Sequence, residues 1–130
     1  MKSSCTAGTL CSTTQTIQIT GLAFQPSAVH PGQTSTATAK LANCTAQTQQ
    51  ASVQWYGRFV SASGTTFPPG CPALDPVAFS VTLAPFGSAS SSLGYLVPAS
   101  CTANGLVVTV SVIQQGKVVA QRSAELIIQQ

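Results

Sequence analysis

Ala51-Ser-Val-Gln-Trp-Tyr-Gly-Arg-Phe-Val60 alternates apolar and polar side chains with a period of two. Val53, Trp55 and Phe59 fall on one face, and Gln54, Tyr56 and Arg58 on the other. A helix would scatter both sets around its circumference, whereas a pleated strand keeps them apart. The stretch therefore reads as a strand with Trp55 turned toward a core. A strand buried on one face needs a second layer to pack against, so the rest of the chain has to supply it.

Working outward, the same signal recurs on both sides. Residues 34–43 alternate Ala37, Ala39 and Leu41 with Thr36, Thr38 and Lys40. Residues 16–24 place Ile17 and Ile19 on one face, and Pro26 and a His30-Pro31-Gly32 turn end that strand. Downstream, residues 76–83 set Val77, Phe79, Val81 and Leu83 on one face, and residues 88–97 point Leu93, Tyr95 and Val97 inward. Asn104-Gly105 opens a strand over 106–114. Gln115-Gly116 makes a short hairpin turn, and residues 117–129 form the last strand. Only 123–130 has an ambiguous period. Residues 61–73 carry Pro68-Pro-Gly-Cys-Pro72 and cannot form a central strand.

Seven strands, with the tryptophan on the third, predict an all-β, immunoglobulin-like antiparallel sandwich. The antibody inter-sheet cysteine pair is missing: residues 34–43 are Ala-rich, and 106–114 carry Val110 and Val112. The expected organisation is a flexible Ser/Thr-rich arm over 1–15 and one sandwich domain over 16–130.

Composition narrows the function. The 130 residues include two acidic side chains, Asp75 and Glu125, and one histidine, His30. Paired carboxylates, a histidine relay or a metal cluster have almost nothing to be built from, so no enzyme and no cofactor is expected. Charged residues make up 5% against 44% hydrophobic, where ordinary soluble domains carry about 25% charged. The five cations, Lys2, Lys40, Arg58, Lys117 and Arg122, are scattered. They offer no continuous basic footprint for nucleic acid. The longest apolar runs, such as 105–110, are far short of the about 20 residues a spanning helix needs, so no membrane insertion is expected. The exterior must be Ser, Thr, Gln and Asn, a surface with little self-repulsion that tolerates packing against copies of itself.

Cysteines occupy positions 5, 11, 44, 71 and 101. None forms a Cys-x-x-Cys pair, and one histidine gives no zinc spacing. Disulfides in an oxidising compartment are the expected use, which places the chain outside the cell or on its surface. The first residues lack the apolar core of a leader, so the reading is a mature chain. In an immunoglobulin-like sandwich, Cys5, Cys11 and Cys44 lie near one end and Cys71 and Cys101 near the other. The expected bonds are Cys71–Cys101 and Cys44 with Cys11 or Cys5. Cys5 is the preferred candidate for a free or intermolecular thiol.

Other polar residues read as structural. His30 and Asp75 each precede a proline in a turn. Glu125 is expected beside Lys40 as an ion pair. Lys40, Glu125 and Asn43 or Asn104 are also the residue types of an isopeptide cross-link. Asn43-Cys44-Thr45 fits a glycosylation sequon, with a turn asparagine as its plainer reading. Tyr56 and Arg58, on the outer face of the Trp55 strand, are the candidate contact surface.

Phe24-Gln-Pro-Ser-Ala-Val-His-Pro-Gly-Gln-Thr-Ser-Thr-Ala-Thr-Ala-Lys-Leu-Ala-Asn43 resembles bacterial extracellular immunoglobulin-like modules of the CARDB (cell-adhesion-related) kind. Such modules open with a Pro-containing strand and a Pro-Gly turn, followed by a Thr-alternating strand that ends in Asn. The aromatic strand Val53-Gln-Trp-Tyr56 is similar too. The resemblance implies extracellular adhesion or assembly and brings no catalytic residues. The expected function is a non-enzymatic surface, adhesion or assembly module acting through protein contacts. Copies of itself, in a filament or shell, are the foremost partner, and carbohydrate binding is the alternative. An open sandwich leaves edge strands to make such contacts, here the first strand, the last strand or the arm.

Overall fold

The computed structural model describes residues 16–63 and 68–130, and the expected arm lies outside them. The strands are β1 (Ile17–Gln25), β2 (Ala28–Val29), β3 (Thr34–Asn43), β4 (Gln49–Val60), β5 (Val77–Leu83), β6 (Ser88–Leu96), β7 (Gly105–Gln114) and β8 (Lys117–Ile128). Seven coincide with the strands read from period-two alternation, and the ambiguous C-terminal stretch is strand. The eighth, β2, is an addition. After Gln25 the chain passes through Pro26, which has no N–H for a ladder, and crosses to the other sheet. There Ala28 and Val29 pair in parallel with Ile127 and Ile128. Two residues are too few to show a period.

Among the described residues one sheet holds three strands in the order β1-β3-β6, and the other five in the order β2-β8-β7-β4-β5. Apart from β2–β8, every pairing is antiparallel. Across the sandwich β1 packs on β8, and β6 lies over β4. Two contacts fix the second placement. The Trp55 indole N–H donates to Ser91 Oγ at 3.3 Å, and a Cβ at Gly57 would stand 3.2 Å from the Tyr95 ring. Gly57 is thus the hole into which Tyr95 fits.

Alternation explains the core. Val53, Trp55 and Phe59 from β4, Leu106, Val108, Val110 and Val112 from β7, and Leu126 and Ile128 from β8 meet Ile17, Ile19, Phe24, Ala37, Ala39 and Leu41 from the opposite sheet. Trp55 is 1% exposed. Its partner Ser91 is paired with Ala39 in the β3–β6 register, so small side chains face the largest one. This is how two layers interdigitate at near-crystalline density. At the β7–β8 hairpin, Gln115 (φ 52°) and Gly116 (φ 77°) are both left-handed. That is the type I′ geometry whose twist suits a two-residue hairpin.

Different chemistry ties the two ends. At one, Cys71 and Cys101 are disulfide-bonded, joining the β4–β5 and β6–β7 connections. Thr102 reinforces the junction: its N–H and its hydroxyl donate to Pro69 O at 3.1 and 2.8 Å. At the other end Asn43 is buried. Its Nδ2 donates to the carbonyls of Gln47, Leu83 and Ala84 at 2.7, 3.2 and 2.9 Å. Its Oδ1 accepts from the Thr45 N–H and hydroxyl at 2.9 and 2.8 Å. One amide thereby binds β3 to the opposite sheet. Asn43 is therefore more than a turn asparagine, and in the folded chain its amide nitrogen is enclosed.

The expected Lys40–Glu125 pair does not form. Lys40 sits beside Ser90 and Gly21 on the outer face of the three-stranded sheet. Glu125 sits opposite Val107 on the outer face of the five-stranded sheet. The whole sandwich separates them, so Glu125 is not placed to promote an isopeptide bond from Lys40 to Asn43 or Asn104.

Candidate interaction surface

The polar residues singled out by sequence are dispersed. Asp75 is exposed just before β5. His30 is exposed, with Nδ1 2.8 Å from the Gln129 carbonyl. A carbonyl only accepts, so Nδ1 carries the proton, and the ring clasps the end of β8. Among the described residues no three of His, Cys, Asp or Glu gather into a group that could hold a metal. No helix there is long and apolar enough to cross a membrane. Cys44 is disulfide-bonded; its expected partners, Cys11 and Cys5, lie outside the described residues, as does the thiol fate assigned to Cys5.

Tyr56 and Arg58 stand on the outer face of β4, exposed. Beyond Trp55, β4 no longer pairs with β5, and residues 72–74 run alongside it instead. Tyr56, Arg58, Pro72 and Leu74 line a cavity of about 120 Å³ there. Small-molecule pockets usually measure about 300–1,000 Å³, so this one takes a side-chain tip at most. Behind it Tyr95 is buried, and its hydroxyl has no hydrogen-bond partner among the described residues. Burial pushes its pKa up to about 12, because the phenolate would lose its water. At the Asn43 end, amides satisfy each other: Thr16 Oγ1 donates to Gln114 Oε1 at 2.8 Å, and Gln114 Nε2 to Gln49 Oε1 at 3.0 Å.

The surface that sequence reading missed lies on β5 and β6. Val77, Phe79, Val81 and Leu83 do share a face, and register puts it on the Val53–Trp55 side, toward the core. Yet only Leu83 is buried, while Val77 and Phe79 are 36% and 39% exposed. The cause is strand count. β6 covers β4, and the three-stranded sheet ends there, so β5 projects one strand beyond its cover. Val81 and Leu93 flank this ledge, half-buried against the core. Among the described residues β5 pairs only with β4 and β6 only with β3, leaving both with open backbone edges. Neither Val77–Leu83 nor Ser88–Leu96 contains a charged residue, so the usual guard against strand pairing is missing. Alternation shows that β5 has an apolar face, but the offset between two sheets has no signature within one strand.

No sequence-family model matches the chain, and no curated protein does. Solved structures do match its fold. The CARDB domain of a Pyrococcus furiosus protein, solved in complex with di-metal ions, superposes with a TM-score of 0.57 at 12% identity over 87% of this chain and 90% of that one. A segment of the Pseudomonas fluorescens alkylpurine DNA glycosylase AlkC gives 0.63 at 16% identity, over 89% of this chain. A segment of a Paenibacillus cycloisomaltooligosaccharide glucanotransferase gives 0.65 at 12%, over 86%. The chain spans only 31% and 14% of those two enzymes. At these identities the likeness is one of architecture: the chain is an immunoglobulin-like β-sandwich with a CARDB-like fold.

Proposed function

We propose that this chain is a non-catalytic adhesion or assembly module of an extracellular surface, acting through protein contacts on its β5/β6 side. The observation that carries the reading is the uncovered ledge of Val77 and Phe79, flanked by half-buried Val81, between two uncharged open edges. Contiguous exposed apolar surface next to unpaired strands marks an interaction site. The Cys71–Cys101 bond fits an oxidising compartment, and the CARDB-like fold is compatible with surface assembly. Carbohydrate binding is the second reading, resting on Tyr56 at 44% exposure beside Arg58. One aromatic without a row of neighbours is a poor sugar platform.

The immobilised chain is probed in parallel with a polysaccharide panel and with the chain itself. Protein contact that is lost in Phe79→Lys and kept in Tyr56→Ala supports the proposal. Glycan binding lost in Tyr56→Ala, with no protein contact, overturns it.

A further inference from the structure

The open side of the sandwich is a step: among the described residues the three-stranded sheet stops at β6, and the five-stranded sheet continues one strand further, to β5. A step has a particular self-complement. Consider a two-fold axis parallel to the strands, midway between the layers and directly over β5. It exchanges the layers, so a second copy's β5 arrives beside β6 in the plane of the three-stranded sheet. Reciprocally, β5 arrives beside the second copy's β6. Both ledges are covered at once, each by the other.

Chain direction allows this joint. Trp55 contacts Ser91 and Gly57 contacts Tyr95, so residue numbers rise together along β4 and β6. β5 is antiparallel to β4 and hence to β6. Rotation about an axis parallel to the strands leaves their direction unchanged, so the new pairs are antiparallel, like all but one of the existing pairings. Level matches as well. Val77 lies opposite Trp55, which reaches Ser91, so the residues from Val77 on run past Ser91 toward Ser88. Inward side chains stay inward, which stacks Phe79 and Val77 of one copy on those of the other. A two-fold normal to the sheets that joined β5 to β5 would leave both ledges uncovered, and the one nearer in would join β6 to β6. That β6–β6 joint fails because the projecting β5 would occupy the space of the second copy's β4.

We infer that a second copy of this chain is the partner of the β5/β6 side, and that the two interlock as a closed, two-fold dimer in which each β5 extends the other copy's three-stranded sheet. The inference rests on the protein-contact reading and names its partner and geometry. Isologous contacts of this kind close on themselves, so association stops at two.

The test is sedimentation equilibrium of the full chain across a concentration series, with free thiol alkylated so that no cysteine link contributes. The expected result is a monomer–dimer equilibrium. Phe79→Lys acts twice in the joint and weakens it about 100-fold or more, while Val118→Lys, on β8 away from the step, leaves it unchanged. Near-ultraviolet circular dichroism reports folding, and Phe79→Ser, a milder change at the same position, serves if Phe79→Lys is misfolded. A monomer at every concentration overturns the inference and leaves the glycan and partner assays to decide the broader reading. Open-ended oligomers, or a dimer indifferent to both Phe79 variants, overturn the inference while keeping the assembly reading.

Discussion

The two ends of the sandwich solve one problem by different means. At the Cys71–Cys101 end a covalent bond joins two connections. At the Asn43 end an amide joins β3 to β5 through hydrogen bonds; the Cys44 disulfide there leads outside the described residues. A disulfide acts mainly on the unfolded chain, by removing conformations it would otherwise have. A buried amide acts on the folded chain, where five polar groups depend on it. The first depends on the redox state of the surroundings, and the second does not.

The largest expected effect comes from removing what both ends rely on. Trp55→Ala empties the middle of the core, where truncation of a buried Trp costs about 3–5 kcal/mol. Urea unfolding should show a chain largely unfolded in water, with neither end holding. A melting temperature equal to that of the wild type would mean that Trp55 is not core. Next comes the covalent end. Cys71→Ser with Cys101→Ser releases a loop of sequence separation 30, a loss of about 3–4 kcal/mol in the chain-entropy account. The change should appear in the denaturation midpoint and vanish when wild type and variant are compared under full reduction.

Asn43→Ala tests the amide end. It leaves the Leu83 and Ala84 carbonyls and the Thr45 N–H short of a partner, at a cost of about 2–3 kcal/mol. Unlike the cysteine variant, it should lose the same amount with or without reductant. Redox dependence of that loss would show that the amide is coupled to a disulfide, either that of its neighbour Cys44 or that of the far end.

The smallest effect is at Tyr95, whose hydroxyl has no partner among the described residues. Tyr95→Phe should be close to neutral at pH 7. Its pKa stands at about 12 rather than the ordinary 10, so the neutral form is the one that fits the fold. The associated stability is full below pH 10 and is lost as pH rises toward 12, about 2–3 kcal/mol in all. Stability measured between pH 10 and 12 should therefore fall more steeply in the wild type than in Tyr95→Phe. Parallel curves would remove Tyr95 from the account.

Strand positions were legible because each strand separates its faces by itself. Trp55, with Val53 and Phe59, announces a core face in ten residues, and Gln115-Gly116 announces a turn in two. What stayed hidden depends on two segments at once. Val77 and Phe79 look like core residues until the opposite sheet is found to end at β6. Asn43 looks like a turn residue until Leu83 and Ala84 are brought beneath it. Lys40 and Glu125 are compatible charges that the layers hold apart. Period two puts Tyr56 and Arg58 on the exposed face of β4, but nothing along β4 reveals that residues 72–74 close over its edge.

The burial of Asn43 also has a consequence for biosynthesis. In a secretory host with an oligosaccharyltransferase, Asn43-Cys44-Thr45 would be an acceptor while the chain is extended. Once folded, its Nδ2 is committed to three carbonyls and out of the enzyme's reach. A glycan transferred first would occupy the nitrogen that must make those bonds. Sugar attachment and folding therefore compete for one atom, and the glycosylated fraction of the secreted chain would act as a clock, recording how long each molecule took to close that end of the sandwich.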